Sequence, residues 1–327
     1  MEQRRFGKDG PLVGAVGLGC MSFAGAYGQA TVEESHATLR AALELGITHI
    51  DTSNIYGAGR SEEIVGAFIK HHPGRFTIAT KGGIALGPPR HFENSADYLR
   101  KELEGSLKRL GVEHVALYYI HRRDHRVPVE EVMDTLVRFK DEGKIGGIGF
   151  SEIAPYTLEQ AAAIHPVMAV QNEYSLWTRQ PELGLLQACE RLGAALVAFS
   201  PVARGMLTDR PPQPEAFAQT DFRRSNPRFQ EPNFSRNAAA VAKFVSFARH
   251  RGYSAAALAI AWTLAKGSHV IPIPGTRSAD HLRQCAKAAE IALSPSDLAE
   301  VEAVLPVGFA HGPRYSDAQY AAIEHYC

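Results

Sequence analysis

The chain carries eight short apolar runs that follow one another along most of its 327 residues. Inside each run the apolar residues are continuous and do not alternate with polar ones, which is typical of strands covered on both faces. The runs occupy residues 13–19, 47–51, 76–81, 115–121, 145–151, 167–172, 194–200 and 269–273. We therefore expect eight buried strands.

Helical patterns with clear start and stop signals lie between the runs. The first begins with Thr31 and Glu34 in the spacing of a capping box, in which each side chain bonds the backbone N–H group of the other residue. Glycine, which tolerates the left-handed conformation that often follows a helix, marks the ends of others. The predicted helices run from Thr31 to Leu45, from Ser95 to Gly111, from Pro181 to Gly193 and from Ser254 to Lys266.

The alternation of strands and helices predicts an α/β protein with a parallel sheet, and eight strands close naturally into a (β/α)8 TIM barrel. The length suits one such barrel domain over residues 1–327. Ahead of the first run, residues 4–12 have the pattern of a β-hairpin with an Asp9-Gly10 turn. We expect this N-terminal hairpin to plug the end of the barrel opposite the carboxyl ends of the strands.

A long segment without a strand pattern, residues 201–233, follows the seventh run. A loop of this length in a compact domain is functional or disordered. Its position would fold it over the carboxyl rim of the barrel, and we favour a loop that covers a ligand over a disordered surface segment. Four aromatic residues in and beside it can pack: Phe217, Phe222, Phe229 and Phe234. We expect its basic stretch, residues 223–228, to be solvated and not to clamp a phosphate.

The composition excludes some partners and compartments. Lysine plus arginine and aspartate plus glutamate number 35 each, so no overall field attracts nucleic acid or an anionic membrane. The N-terminus lacks the apolar run of a secretory signal, and no segment approaches the roughly 20 apolar residues of a membrane span. We expect a cytoplasmic enzyme. The cysteines are far apart in the sequence and are expected to be reduced thiols: Cys20, Cys189, Cys285 and Cys327.

Three ionisable residues stand at the ends of apolar runs: Asp51, Lys81 and His121. Asp51 precedes Lys81 by 30 residues and Lys81 precedes His121 by 40, each close to the length of one strand–helix unit. Consecutive strands therefore place the three groups side by side on the carboxyl rim, where barrel enzymes carry their chemistry. A tight turn after Asp51 presents Tyr56. We predict that these four residues form a proton-transfer group.

This group is suited to protonating an alkoxide. A tyrosine phenol is a weak acid, with a reference pKa of about 10. A buried ammonium favours the phenolate, and a carboxylate paired with that ammonium keeps it charged. Tyr56, Lys81 and Asp51 supply this set, and His121 would orient the substrate oxygen and share the proton. Nothing in the group attacks carbon, so a hydride donor would complete the reaction.

The dinucleotide fingerprint of the Rossmann fold is absent. The segment Gly17-Leu18-Gly19-Cys20 begins like that fingerprint, but no third glycine follows at the required position. Any nicotinamide cofactor must therefore bind outside a Rossmann fold.

With these residues the chain resembles the aldo-keto reductase superfamily. The tetrad of that family is matched in order by Asp51, Tyr56, Lys81 and His121. The most specific segments are residues 17–21, 46–57, 143–152, 171–179, 199–205 and 271–276. Residues 173–177 and 221–224, together with the last of these segments, are similar to the branch that contains pyridoxal reductases and plant and microbial monomeric carbonyl reductases.

The resemblance implies an NADPH-dependent reduction of an aldehyde or ketone to an alcohol, with the hydride from the nicotinamide and the proton from Tyr56. It implies that Ser151 and Gln171 bind the nicotinamide carboxamide and that Phe199 stacks on the nicotinamide ring. Further cofactor contacts are implied for Cys20, Met21, Ser200, Pro201, Arg204, Gly275, Thr276, Arg277 and Gln284.

The resemblance assigns two groups of these residues to the phosphates of the cofactor. Ser200, Pro201 and Arg204 would lie along the pyrophosphate. Gly275, Thr276 and Arg277 would contact the adenosine 2′-phosphate at the start of the helix after the eighth strand, which Ser278 would cap. A helix N-terminus offers free amides and the positive end of a dipole, and Arg277 adds a fork of donors.

Four positions depart from the usual pattern of the family. Gln284 and Cys285 stand where a Glu-Asn pair is common on the adenine side, and Phe199 stands where tyrosine is common. After His121, Arg123 stands where valine or proline is usual and adds a charge beside the substrate mouth. That charge favours anionic or polar substrates, or else it faces solvent.

Two other functions remain open from the sequence. The barrel could bind NADPH tightly and serve as a redox-sensing module with little turnover, or it could be a metal-dependent hydrolase, although we expect no metal site. A small-molecule carbonyl substrate is the one partner that the sequence indicates, and it leaves the oligomeric state and the physiological substrate open.

Overall fold

Eight parallel strands form the central sheet in a computed structural model that describes residues 1–87 and 91–326. An antiparallel hairpin precedes the sheet, and another follows its third strand. In chain order the strands are β1 (Gln3–Arg5), β2 (Leu12–Gly14), β3 (Leu18–Gly19), β4 (His49–Asp51), β5 (Thr77–Gly82), β6 (Ile84–Ala85), β7 (His91–Phe92), β8 (Leu117–Ile120), β9 (Ile148–Ser151), β10 (Ala169–Glu173), β11 (Ala195–Phe199) and β12 (Val270–Ile273).

Helices connect the strands of the central sheet. In chain order they are α1 (Val32–Leu45), α2 (Arg60–Ile69), α3 (Ala96–Leu110), α4 (Val129–Asp141), α5 (Pro155–Ile164), α6 (Leu185–Leu192), α7 (Asn233–His250), α8 (Ala255–Leu264), α9 (Ala279–Ala286), α10 (Pro295–Val304) and α11 (Asp317–Tyr320). Short 3-10 turns occupy residues Met21–Ala24, Gln180–Glu182, Ala203–Gly205, Pro214–Ala216, Phe222–Ser225, Pro227–Phe229 and Lys287–Glu290.

The sheet closes on itself as a barrel. Its strand order is β3-β4-β5-β8-β9-β10-β11-β12, and every neighbouring pair is parallel. The first and last strands then meet, because Gly19 bridges to Gly275 and the Gly17 amide donates to the Pro272 carbonyl at 2.9 Å. The expected (β/α)8 TIM barrel is confirmed.

The predicted first strand is wrong in its extent. Residues 13–19 do not form one barrel strand, because Leu12–Gly14 pairs antiparallel with β1 and only Leu18–Gly19 joins the barrel. The chain passes very close to its neighbours here, and a Cβ atom on Gly14 would lie 2.5 Å from the Gly46 carbonyl oxygen. One apolar run therefore serves two sheets. The other seven predicted strands each correspond to one barrel strand.

The start and stop signals of the helices are mostly confirmed. Thr31 and Glu34 form the reciprocal capping box of α1. Ser95 and Gly111 flank α3 as expected. The prediction for Pro181 is wrong, because this residue lies in a 3-10 turn and α6 starts at Leu185, after Gly184 with φ +111° has broken the helical path.

The end of α8 is also earlier than expected. Ser254 caps its start, but the helix ends at Leu264 and does not reach Lys266. The Arg4 guanidinium explains where the chain leaves the helix, because it donates to the carbonyl oxygens of Leu264, Gly267 and Val270 at 2.7–3.1 Å. A cation at a helix C-terminus satisfies carbonyl groups that have no partner in the helix.

The N-terminal hairpin fills the base of the barrel. Its turn runs from Gly7 to Gly10, whose amide donates to the Gly7 carbonyl at 3.3 Å. Phe6 is fully buried and packs with barrel-lining residues such as Leu117 and Tyr119. The expected plug is confirmed.

The long segment after β11 is folded into four consecutive 3-10 turns before α7. Phe217, Phe229 and Phe234 are buried, and the first two rings are 5.7 Å apart, as expected for a segment that packs. The expectation of a solvated basic stretch is wrong for two of its arginines. Arg223 binds Asp221, and Arg228 donates to the Trp177 carbonyl at 2.8 Å, because the turns fold both side chains back onto the protein.

The cysteines of the described residues are not paired with one another. Cys20, Cys189 and Cys285 are free and buried, whereas Cys327 lies outside the described residues. Burial raises the pKa of all three thiols, that of Cys285 to about 12.

Over residues 1–87 and 91–326, no helix has the length and apolar character needed to cross a membrane.

Truncation of the plug tests its role in stability. Phe6→Ala empties a fully buried site at the base of the barrel and is expected to lower the free energy of unfolding by about 3–5 kcal/mol. Leu12→Ala, in the same hairpin but with the leucine 51% exposed, is the matched control and is expected to change it by less than about 0.5 kcal/mol. Urea unfolding measures both. Equal losses would show that Phe6 contributes no more than a surface residue.

Candidate active site

The four predicted proton-transfer residues meet at the carboxyl rim of the barrel. Asp51 is the last residue of β4, Lys81 lies near the end of β5, and the neighbouring β8 delivers His121. The His121 amide donates to the Gly82 carbonyl at 2.7 Å, which fixes the chain as it leaves β8. Tyr56 sits in the turn after β4, where its amide donates to the Ser53 carbonyl at 3.2 Å.

The Lys81 ammonium is the centre of the site. It is fully buried and donates to three oxygens: one Asp51 carboxylate oxygen, the Thr52 carbonyl at 2.9 Å and the Tyr56 hydroxyl at 3.2 Å. An ammonium has three N–H donors, so each has an oxygen to bind. Burial of a charge is tolerated when it is paired and hydrogen-bonded in this way.

Electrostatics couples the Lys81 and Tyr56 side chains. Burial raises the pKa of Tyr56, and the nearby Lys81 ammonium opposes that shift because it favours the phenolate. Burial by itself lowers the pKa of Lys81, but the Asp51 carboxylate and the Tyr56 hydroxyl raise it, and the net direction is upward. Lys81 is therefore charged beside a phenol whose proton it helps to release.

His121 faces the tyrosine from the other side. The two rings are 5.8 Å apart between centroids and nearly perpendicular, at 84°. One ring nitrogen of His121, Nδ1, lies 3.1 Å from the Ser53 hydroxyl, which holds the imidazole in place. The Tyr56 and His121 rings therefore lie side by side at the carboxyl rim.

Gln171 connects the ion pair to the next part of the rim. Its side-chain amide nitrogen donates to the second carboxylate oxygen of Asp51 at 2.8 Å. Gln171 lies in β10 and is buried. Because a carboxamide also carries an acceptor oxygen, this side chain can bind a second carboxamide while it holds Asp51.

The three residues predicted around the nicotinamide lie on consecutive strands. Ser151 ends β9, Gln171 lies in β10, and Phe199 ends β11 and is partly exposed. β9, β10 and β11 are neighbours in the sheet. The Ser151 hydroxyl accepts a hydrogen bond from Arg122 at 3.1 Å. These residues form one continuous strip of the rim beside the proton-transfer group.

The predicted pyrophosphate residues follow β11 directly in a sharp turn. Ser200 and Arg204 have positive φ, 51° and 57°, which is unusual for residues with a side chain. The Arg204 guanidinium points back to Glu173, which it binds at 2.8 Å, and lies over the rings of Phe222 and Tyr315. Its side chain is therefore occupied by protein groups.

The predicted 2′-phosphate residues lie after β12, where Ser278 caps α9 as expected. Arg277 donates to the Tyr27 carbonyl at 2.8 Å. A cavity of about 290 Å³ lies beside it, and its walls include Tyr27, Gly28, Phe217, Asp221, Arg223 and Arg277. Two arginines therefore border one cavity, and the aspartate that pairs with Arg223 is the acidic member of the same wall.

The remaining predicted contacts are more scattered. The Cys20 side chain is fully buried, and its amide donates to the Asp51 carbonyl at 2.8 Å. Met21 starts a 3-10 turn and is partly exposed. Gln284 is exposed on α9, whereas Cys285 points into the core. The structure thus does not bring Cys20 or Cys285 to a surface where their thiols could meet a ligand.

The added charge at Arg123 does not face solvent, so that alternative is wrong. Arg123 is 5% exposed and donates to the Val127 carbonyl at 2.9 Å, because the loop after β8 folds over it. The preceding Arg122 is also buried and donates to the His121 carbonyl at 2.6 Å. Arg122 thereby connects His121 with Ser151, a contact that the sequence pattern did not indicate.

Other contacts in the site were also missed from the sequence. The Ser53 contact with His121 lies inside residues 46–57, but nothing in the spacing of that segment marks the serine. Glu152, Glu173 and Arg314 form buried ion pairs behind Ser151 and Gln171. Within the part of the chain that the structure describes, no group of three or more His, Cys, Asp or Glu residues is placed to hold a metal ion.

Removal of the buried charges one at a time tests their mutual dependence. Asp51→Asn leaves the Lys81 ammonium buried without its counter-charge, and Lys81→Met leaves the carboxylate, so each is expected to lower the free energy of unfolding by about 3–5 kcal/mol. Asp51→Asn/Lys81→Met removes both charges and is expected to be more stable than either single variant. Chemical unfolding of all four proteins measures this, and additive losses in the double variant would contradict it.

Comparison with known proteins agrees with this geometry. The sequence profile described as "Aldo/keto reductase family" matches residues 15–306. The chain is 37% identical to "Aldo-keto reductase yakc [NADP(+)]" of Schizosaccharomyces pombe, over 95% of this chain and 94% of that protein. It is also 37% identical to "Probable aldo-keto reductase 1" of Glycine max, over 98% of this chain and 93% of that protein.

A solved structure has the same fold. The glycerol dehydrogenase AKR11B4 from Gluconobacter oxydans superimposes with a TM-score of 0.84 at 30% identity, over 93% of this chain and 94% of that one. The finer similarity to the pyridoxal reductase and monomeric carbonyl reductase branch stays a prediction. The profile match and the identity to curated relatives over nearly the whole chain establish that the chain belongs to the aldo/keto reductase family.

Proposed function

We propose that this protein catalyses the NADPH-dependent reduction of an aldehyde or ketone to an alcohol, and the reverse oxidation. The observation that carries the proposal is the Tyr56 hydroxyl 3.2 Å from a fully buried Lys81 ammonium that is paired with Asp51. A phenol in this position can give up its proton to an oxygen at the rim of the barrel.

Each member of the tetrad has a separate task in this proposal. Tyr56 donates the proton to the substrate oxygen as negative charge develops there. Lys81 stabilises the phenolate that remains, and Asp51 keeps Lys81 charged and in place. His121 donates a hydrogen bond to the same substrate oxygen and so orients the carbonyl group. Bound NADPH would supply the hydride.

The residues on the rim fit such a cofactor. The Gln171 side chain uses its amide N–H on Asp51, which leaves its oxygen for the amide of a nicotinamide, and the Ser151 hydroxyl lies at the end of the next strand. Phe199 is partly exposed, and an aromatic ring at this position would stack on the nicotinamide. We propose that residues 200–204 hold the pyrophosphate through their backbone turn, because the Arg204 side chain is bound to Glu173.

The adenosine end of the cofactor would lie beside α9. Arg277 and Arg223 border a cavity of about 290 Å³, which gives a 2′-phosphate two cationic neighbours. The name of the Schizosaccharomyces pombe relative includes NADP(+), which supports the same choice of cofactor. The folded segment 201–233 supplies one wall of this cavity, which supports its proposed role as a covering loop.

Loss of the Tyr56 hydroxyl tests the proton donor. Tyr56→Phe is expected to lower kcat for aldehyde reduction by about 10²–10⁴-fold, the usual contribution of general acid catalysis, with little change in NADPH affinity. Tyr253→Phe, at a partly exposed tyrosine between α7 and α8, is the control and is expected to keep the parent rate. Steady-state kinetics with an aldehyde and ketone panel measures both.

A Tyr56→Phe enzyme that binds NADPH and works at the parent rate would refute the proposal. A parent protein that binds NADPH without turnover would favour the redox-sensing module.

Substitution of Arg277 tests the cofactor preference. Arg277→Ala removes a charged donor from the proposed 2′-phosphate site and is expected to weaken NADPH binding by about 10- to 100-fold while NADH binding changes little. Arg283→Ala, an exposed arginine on α9, is the matched control for loss of a positive charge on the same helix. Quenching of protein fluorescence by the two nucleotides measures the affinities. Equal losses for NADPH and NADH would count against a phosphate contact.

A further inference from the structure

Four charged side chains are buried together just behind the proposed nicotinamide site. Glu173 binds Arg204 at 2.8 Å and Arg314 at 3.4 Å, and Arg314 also binds Glu152. Each of the four residues is at most 9% exposed. We call Glu152, Glu173, Arg204 and Arg314 the rim ion cluster. Its two carboxylates and two guanidinium groups balance in formal charge.

The rim ion cluster joins four separate segments of the chain. Glu152 follows β9 and Glu173 ends β10, so both carboxylates belong to the barrel. Arg204 comes from the turn after β11, and Arg314 comes from the C-terminal segment between α10 and α11. Asn226 of the long loop donates to the Arg314 carbonyl at 2.6 Å, which ties that loop to the same point.

The Glu173 carboxylate stays ionised in this environment. Burial raises the pKa of Glu173, but the guanidinium groups of Arg204 and Arg314 lower it, and the net direction is below its ordinary value. Replacement of buried ion clusters by apolar residues often leaves stability unchanged or improves it, so such a cluster is weak evidence for a role in stability. Its position suggests another role.

Both carboxylates lie within two residues of side chains proposed to face the nicotinamide. Glu152 directly follows Ser151, and its amide donates to the Gln171 carbonyl at 3.0 Å. The Glu152 carboxylate in turn accepts a hydrogen bond from the Glu173 amide at 2.9 Å. The Glu152 side chain therefore adds a contact between the ends of β9 and β10 beyond their backbone pairing, and Arg314 holds that side chain.

The backbone at these positions is strained. Glu152 has φ +58° and Arg204 has φ +57°, although neither is glycine. Residues in this region cost free energy and persist only when surrounding contacts hold them. Each of the two carries its own ion pair in the rim ion cluster, Glu152 with Arg314 and Arg204 with Glu173.

We propose that Arg314 is a positioning residue for the reaction: by bridging Glu152 and Glu173 it holds Ser151 and Gln171 in the arrangement that receives the nicotinamide carboxamide. The inference rests on the proposed function. It assigns to the C-terminal segment, far from the tetrad in sequence, an effect through Glu152 and Glu173 on how the nicotinamide half of the cofactor is held. The adenosine half binds elsewhere, beside Arg277, and does not depend on this contact.

The test compares two ligands that share only the adenosine half. NADPH carries a nicotinamide, whereas adenosine 2′,5′-bisphosphate does not. Arg314→Met is expected to weaken NADPH binding by about tenfold or more and to lower kcat, while the affinity for adenosine 2′,5′-bisphosphate stays within about twofold of the parent. Arg314→Lys restores one positive charge without the bidentate fork and is expected to recover part of the loss.

Two further variants separate loss of the Arg314 contact from other effects of the substitution. Glu152→Gln/Arg314→Met removes both partners, so no charge is left buried alone, and it is expected to show the same selective loss of NADPH affinity. If Arg314→Met does not fold, this double variant and Arg314→Lys decide the question. Arg191→Met, which breaks an exposed pair with Glu159, is the matched control and is expected to leave both affinities unchanged.

The outcomes separate this inference from the proposed function. A parent protein that binds no NADPH contradicts the proposed function, and the inference falls with it. If the parent binds and reduces carbonyl compounds but Arg314 variants keep parental NADPH affinity and kcat, the inference alone is overturned. Parallel losses for NADPH and adenosine 2′,5′-bisphosphate also overturn it, because the rim ion cluster would then act on the whole fold.

Discussion

The buried ion pair between Lys81 and Asp51 is the interaction on which the rest of the site depends. A charge inside a protein is costly unless its neighbours replace the water that it has lost. Here three oxygens take up the three donors of the ammonium, and one of them is the Tyr56 hydroxyl. The same contacts that make the buried lysine tolerable therefore fix the phenol beside a positive charge.

The barrel supplies this arrangement through its topology. β4, β5 and β8 are consecutive neighbours in the closed sheet, so their carboxyl ends lie side by side without any long loop to position them. Gln171 connects β10 to the ion pair, because its side-chain amide donates to the second carboxylate oxygen of Asp51. The proton-transfer group and the strip of residues proposed for the nicotinamide are thus connected through the side chain of one aspartate.

The sequence revealed most of this, for a physical reason. Asp51, Lys81 and His121 each stand at the end of a continuous apolar run, where an ionisable residue is costly to bury and therefore indicates a function. The spacing of the strand–helix units then predicted that the three side chains meet. Arg314 left no such signal, since its partners lie 141 and 162 residues away and no local period marks them. The same limit applies to Arg204, whose place in the turn was expected but whose ion pair with Glu173 was not. Local patterns also misplaced the first strand, because one apolar run serves both the hairpin and the barrel.

A crystal structure of the protein with bound NADP⁺ tests the central claim most directly. The account predicts that the nicotinamide lies on Phe199 with its carboxamide bound to Ser151 and Gln171, beside a Tyr56 hydroxyl that still contacts the Lys81 ammonium. A nicotinamide bound away from this strip, or a Tyr56 hydroxyl turned from Lys81 when the cofactor is present, would contradict it.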